Sequence, residues 1–151
     1  MSGKFLFSLQ KVLALRKHHE DQAALDYSKK KAALEYEKMA LEALKNTKQK
    51  ALDAKHEEQG NIDLNRVIID RDYIQGLDGK IIKKAEDVQQ KKEIADHSLN
   101  ELTEAVKKKK IMEKLKEKQY EAHKKKNKLF ENKLIDDVAV RNADRNRGMI
   151  E

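Results

Sequence analysis

No proline occurs anywhere in the 151 residues, so the strongest helix breaker is missing and runs of 50 helical residues or more are open to the chain. The other residues favour the same outcome. Ala, Glu, Lys, Leu and Gln are used heavily, which is the composition of long helices. Charged residues make up 40 %, aromatics 5 %, and the mean hydropathy is -0.93. The 38 % of hydrophobic residues includes many alanines, which suits a thin seam between helices better than the thick centre of a globule.

Residues 4–57 read as one helix. Phe5, Leu9 and Val12 follow spacings of four and three, with Leu13 and Leu15 widening the stripe. Further on, Leu25, Ala32, Tyr36, Met39, Ala43 and Leu44 keep to one side, while Leu34, Leu41 and Leu52 lie on a neighbouring line. Residues 58–65, with Gly60-Asn61 at their centre, form the break, and Asp63 is placed to cap a second helix. That helix reads over residues 66–147. Val88, Ala95 and Leu102 recur every seven residues, and the stripe then drifts through Ile111, Met112, Leu115, Tyr120, Leu129, Phe130 and Leu134, as heptads with stutters do. Gly76 and Gly79 weaken this helix locally and leave 76–79 open to a kink, but Ile74, Leu77 and Ile81 continue the helical spacing across it. Past Val140 the apolar residues thin out and the helix is expected to fray.

A single helix cannot bury its own stripe, so one break between two long helices predicts an all-α fold. The expected architecture is a long two-helix antiparallel coiled coil, or helical hairpin, forming one domain over 1–151. Fifty paired residues would make a rod about 75 Å long, with both termini at one end. Net charge is +3 over 1–60, −1 over 61–100 and +5 over 101–151, so the basic excess lies toward the chain ends. It favours acidic partners and says little about fold.

Several function classes fall away. With no cysteine there is no disulfide, thiolate nucleophile or Cys-based zinc site. No apolar run approaches the roughly 20 residues of a membrane span. Ser8, Gln10 and Lys11 interrupt the apolar N-terminus, which argues against a signal sequence and for a cytoplasmic protein. His18 and His19 are adjacent and point about 100° apart on a helix, so they do not share an ion, and His56, His97 and His123 read as ordinary surface positions. Phosphate-binding glycine loops and a nucleophile elbow are missing, and a two-helix seam offers no pocket for paired carboxylates. No enzyme activity, cofactor or metal is expected.

Two features remain open. Lys107 to Lys110 and Lys124 to Lys126, with Lys128, read either as a solvated face satisfied by nearby glutamates or as a surface for an acidic protein. Nucleic acid fits poorly, because only Tyr120 and Phe130 are available for base stacking there. Phe5-Leu6-Phe7 either packs near Leu134, Ile135 and Val138 or enters a partner.

The start FLFSLQKVLALRKHHEDQAAL and the central stretch NRVIIDRDYIQGLDGKI resemble the FliJ family, the stalk-like component of the bacterial flagellar type III export apparatus. The length, the single break and the lysine-rich second helix agree with it. The resemblance implies a coiled coil similar to the two-helix part of the rotary ATP synthase γ subunit. It also implies binding to the flagellar export ATPase hexamer, promotion of its assembly, linkage to the cytoplasmic domain of the export gate, and dealings with export chaperones. Such a protein would be a monomer when free and would sit peripherally at the inner membrane. Carried onto this chain, the ATPase-ring contact falls on Phe5, Leu9, Arg16, Arg141 and Arg145, and the export-gate contact on Tyr73, Leu77, Lys80 and Lys84. Lys80 and Lys84 are more charged than the family's usual residues there. The alternatives are the equivalent stalk of a virulence injectisome, a self-associating scaffold, and a nucleic-acid-binding helix pair.

Overall fold

A computed structural model of the protein describes residues 3–57, 60 and 63–150. It contains two helices, α1 (Gln10–Glu57) and α2 (Leu64–Ile150), and no strand among the described residues. They pack against each other as an all-α helical hairpin.

The first helix starts later than the apolar spacing suggests, at Gln10 rather than near residue 4. The cause is tertiary. Phe7 turns inward, only 7 % exposed, and a helix continued backward through it would not hold both Phe7 and Phe5 against the second helix. Gln10 N–H donates to the Phe7 carbonyl at 3.1 Å, and the Leu9 carbonyl accepts the first helical bond, from Leu13 N–H at 3.0 Å.

The turn expected over 58–65 falls partly outside the described residues, including Asn61. Gly60 is exposed, and it does not take a positive φ. Asp63 does cap α2. Its Oδ1 accepts from Asn65 N–H at 3.1 Å, and its carbonyl accepts from Val67 N–H at 3.1 Å. The side-chain bond satisfies one of the amide groups that a helix start leaves unpaired, and the carbonyl bond is the first regular bond of the helix. Helix α2 then runs unbroken through Gly76 and Gly79, and it continues past Val140 to Ile150, where fraying was expected.

The chain divides into two compact units, each built from part of both helices. One comprises Glu20–Glu104; the other joins Met1–His19 with Ala105–Glu151. In the Glu20–Glu104 unit, Lys48 pairs with Asp78 (2.6 Å), Glu37 with Lys84 (2.9 Å) and Asp26 with Ser98 (3.0 Å). As the α1 number falls the α2 number rises, so the helices are antiparallel. The seam is thin, as the composition requires: Leu34, Leu77 and Ala95 are buried, and most of their seam neighbours are half-buried.

In the unit holding both chain ends, residues 3–9 lie along α2. The ring of Phe5 meets Tyr120 edge-on at 5.4 Å and His123 at 5.5 Å. Residues 105–151 contain 15 basic and 8 acidic side chains, whereas 1–104 contain 19 of each. The whole net charge of +7 therefore belongs to the last third of the chain.

Candidate functional site

Three lines of side chains are candidates for partner contact, and each starts from helical spacing. On α2, Met112, Lys116, Tyr120, His123 and Asn127 recur at intervals of three and four and so share a face. The N-terminal segment covers this face. Lys116 Nζ donates to Gln10 Oε1 at 2.9 Å, and Phe5 lies half-buried against Tyr120 and His123. His123 Nε2 lies 2.9 Å from the Gly3 carbonyl and 3.2 Å from Asn127 Nδ2. A single ring nitrogen cannot both donate to the one and accept from the other, so the tautomer selects between them. His123 is thus no ordinary surface histidine, contrary to the reading from sequence. Nothing in its local sequence signals the contact with the N-terminal segment, because Gly3 and Phe5 lie more than a hundred residues away.

The same α2 face continues through Phe130, Leu134, Val138, Arg141 and Arg145, again at intervals of three and four. Here it is bare. Phe130 is 45 % exposed, Leu134 49 % and Val138 53 %, and both arginines are exposed. Packing of Phe5-Leu6-Phe7 on Leu134, Ile135 and Val138 does not occur: Phe5 docks further back along α2, and Leu6 points outward. Of the other residues expected to meet an ATPase ring, Leu9 is exposed and Arg16 half-buried. Phe5, clasped by its two ring neighbours, is better placed to hold the segment than to meet a partner.

The positions matched to an export gate divide into two kinds. Tyr73 and Lys80 face outward. Leu77, 5 % exposed, is part of the seam. Lys84 donates to Glu37 Oε2 at 2.9 Å and lies 3.8 Å from Asp87. The bond to Glu37 is the main cause of a Lys84 pKa above the ordinary lysine value. Tyr73 also borders a small cleft of about 160 Å³, formed with Ala51, Ala54 and Lys55 of α1 and with Arg66, Asp70 and Ile74 of α2. Its alanines leave room beside the tyrosine ring.

Among the described residues no group of three or more His, Cys, Asp or Glu could hold a metal ion, and no helix is long and apolar enough to cross a membrane.

The flagellar FliJ protein family matches residues 5–148. The chain belongs to the FliJ family. No curated protein and no solved structure matches it. FliJ proteins are structural components of the flagellar protein export apparatus, and this chain takes that place. The match spans both helices, so the N-terminal segment, the seam and nearly all of the bare α2 face are FliJ sequence.

Proposed function

We propose that this protein is the non-enzymatic stalk of the flagellar export apparatus, engaging the export ATPase ring and docking on the cytoplasmic domain of the export gate. The observation that carries the ring contact is the bare α2 face. It repeats the spacing of a face that elsewhere in the same unit is covered, and it ends in Arg141 and Arg145 within a segment that holds the whole net charge. Apolar side chains followed by two cations suit an acidic-rimmed cleft in an oligomeric ring. Leu9 and Arg16 belong to the same unit and lie beside its covered part, where Lys116 meets Gln10, and Phe5 holds the segment that carries Leu9. The gate contact rests on Tyr73 and Lys80, with Leu77 and Lys84 supporting them from the seam. Docking there would bring a cytoplasmic, monomeric protein to the inner membrane, where export chaperones also arrive.

The stalk has no chemistry of its own in this reading. It acts by binding some states of the ring more tightly than others, and so it shifts their populations. The decisive test is the hydrolysis rate of the purified export ATPase with and without this protein. The rate should rise on addition, and the rise should vanish when Arg141→Glu and Arg145→Glu are combined. An unchanged rate with binding independently confirmed would sink the proposal.

A further inference from the structure

Helix α1 carries two apolar lines within the Glu20–Glu104 unit, and α2 covers only one. Leu34 is buried, and Ala33, Glu37, Leu41 and Leu44 are half-buried around it. The other line is Leu25, Ala32, Tyr36, Met39 and Ala43, with spacings of seven, four, three and four. That is the heptad period of a helix-packing seam. At 100° per residue these positions lie roughly 140–180° around the helix from Leu34. All five are exposed, Tyr36 and Met39 at 71 % each. Scattered apolar side chains on a surface need no explanation, but a heptad line is the pattern one helix presents to another.

Tyr36 and Met39 project from this face, and short Ala32 and Ala43 on either side leave holes for a facing helix. Lys29 stands in the gap between Leu25 and Ala32, so the continuous part runs from Ala32 to Ala43, about 17 Å. The row bordering it (Asp21, Ser28, Glu35, Glu42 and Gln49, again spaced by seven) contains no basic residue. Glu35 and Glu42 are both exposed, and Glu35 touches Lys38 at 3.4 Å in a solvated pair that adds little.

We propose that this outward face of α1 docks an amphipathic helix of a protein partner, one whose edge against Glu35 and Glu42 carries lysine or arginine. A second copy of the chain fits less well. Antiparallel self-pairing that sets Tyr36 against Met39 and Ala32 against Ala43 also brings Glu35 close to Glu42 of the other copy. Parallel pairing stacks Lys29 and Lys50 on their own counterparts. The inference does not rest on the stalk reading, since it concerns a face used by neither the ring contact nor the gate contact.

Two synthetic helical peptides test it against the full chain by fluorescence anisotropy. They share a leucine-alanine heptad core, and one has a lysine edge where the other has glutamate. The lysine peptide should bind at least about tenfold more tightly, a difference of about 1.4 kcal/mol. Glu35→Lys with Glu42→Lys should reverse the preference, and Tyr36→Lys with Met39→Glu should abolish binding of both. Circular dichroism should show unchanged helicity in each variant, because all four side chains are exposed. Equal affinity for the two peptides, binding by neither, or binding indifferent to the Tyr36 and Met39 changes overturns the proposal. So does a dimer in sedimentation that those two changes dissolve, since a second copy would then own the face.

Discussion

Ser98 stands in a seam position where an alanine would ordinarily serve, and at 1 % exposure its hydroxyl needs a partner. It donates to Asp26 Oδ2 at 3.0 Å, and Lys30 Nζ donates to the same oxygen at 2.8 Å. Asp26 keeps 46 % of its side chain in water, so the ion pair itself is worth little and the buried hydroxyl is the costlier group to leave unmatched. Ser98→Ala removes that hydroxyl and leaves only the solvated Asp26 carboxylate one donor short, so it should cost no more than about 1 kcal/mol in urea unfolding. The Lys30 bond first, and the Ser98 bond second, hold the Asp26 carboxyl below the usual aspartate range. Its contribution is complete above the ordinary aspartate pKa of about 3.9 and is lost as pH falls through the lower folded value. Asp26→Asn should lower Tm at neutral pH and flatten the fall in Tm below about pH 4. An acid limb as steep as in the parent protein would rule this out. Lys84 has the opposite sign. Its pKa is raised by Glu37, so its contribution is present below the ordinary lysine range and disappears as pH rises through the folded value.

Helix α2 runs through Gly76 and Gly79 with ordinary helical backbone, and a Cβ added at either would meet nothing within 4 Å. Neither glycine is needed for a turn or a close approach. Gly76→Ala and Gly79→Ala should each raise stability by about 1 kcal/mol, read as a higher denaturant midpoint, and a fall at either site would mean that the added methyl is not accommodated there. At this scale the sequence was legible in its broad outline: two helices, a break near Gly60 and a cap at Asp63 come from spacing and turn chemistry. The choice of seam was not legible. Both the Tyr36–Met39 line and the Leu34–Leu41 line keep the helical period, and periodicity identifies apolar faces without saying which of them meets α2. The N-terminal segment misled for the same reason. Phe5 and Leu9 have helical spacing, yet Phe5 is fixed by Tyr120 and His123, whose positions no local pattern reveals. For the candidate contacts, the resemblance supplied Tyr73, Leu77, Lys80 and Lys84 together, and only the partner helix separates the outward Tyr73 and Lys80 from Leu77 and Lys84 in the seam.

Across the molecule, charge and packing divide the labour. Residues 1–104 balance their charges and contain the best-buried part of the seam, while 105–151 hold the +7 and end in a helix exposed on every side from Lys128 to Met149. A segment that buries nothing adds little to the stability of the folded chain, since stabilisation scales with apolar area removed from water. Its apolar and basic side chains are therefore better explained by a partner than by folding. Ending the chain after Lys128 separates these two roles. It keeps His123 and Asn127, and with them the docking of Phe5 and Gly3, but removes Phe130, Leu134, Val138, Arg141 and Arg145. The shortened protein should melt within a few degrees of the full chain, because each 1 kcal/mol moves Tm by only about 4 °C in a domain of this size. It should nevertheless fail to raise the hydrolysis rate of the export ATPase. In the full chain, stimulation at sub-saturating concentration should weaken as salt rises from about 50 to about 300 mM, the range over which solvent-exposed charges are screened within about a Debye length. Full stimulation by the shortened protein would move the ring contact off this face, and salt-independent stimulation would remove the arginines from it.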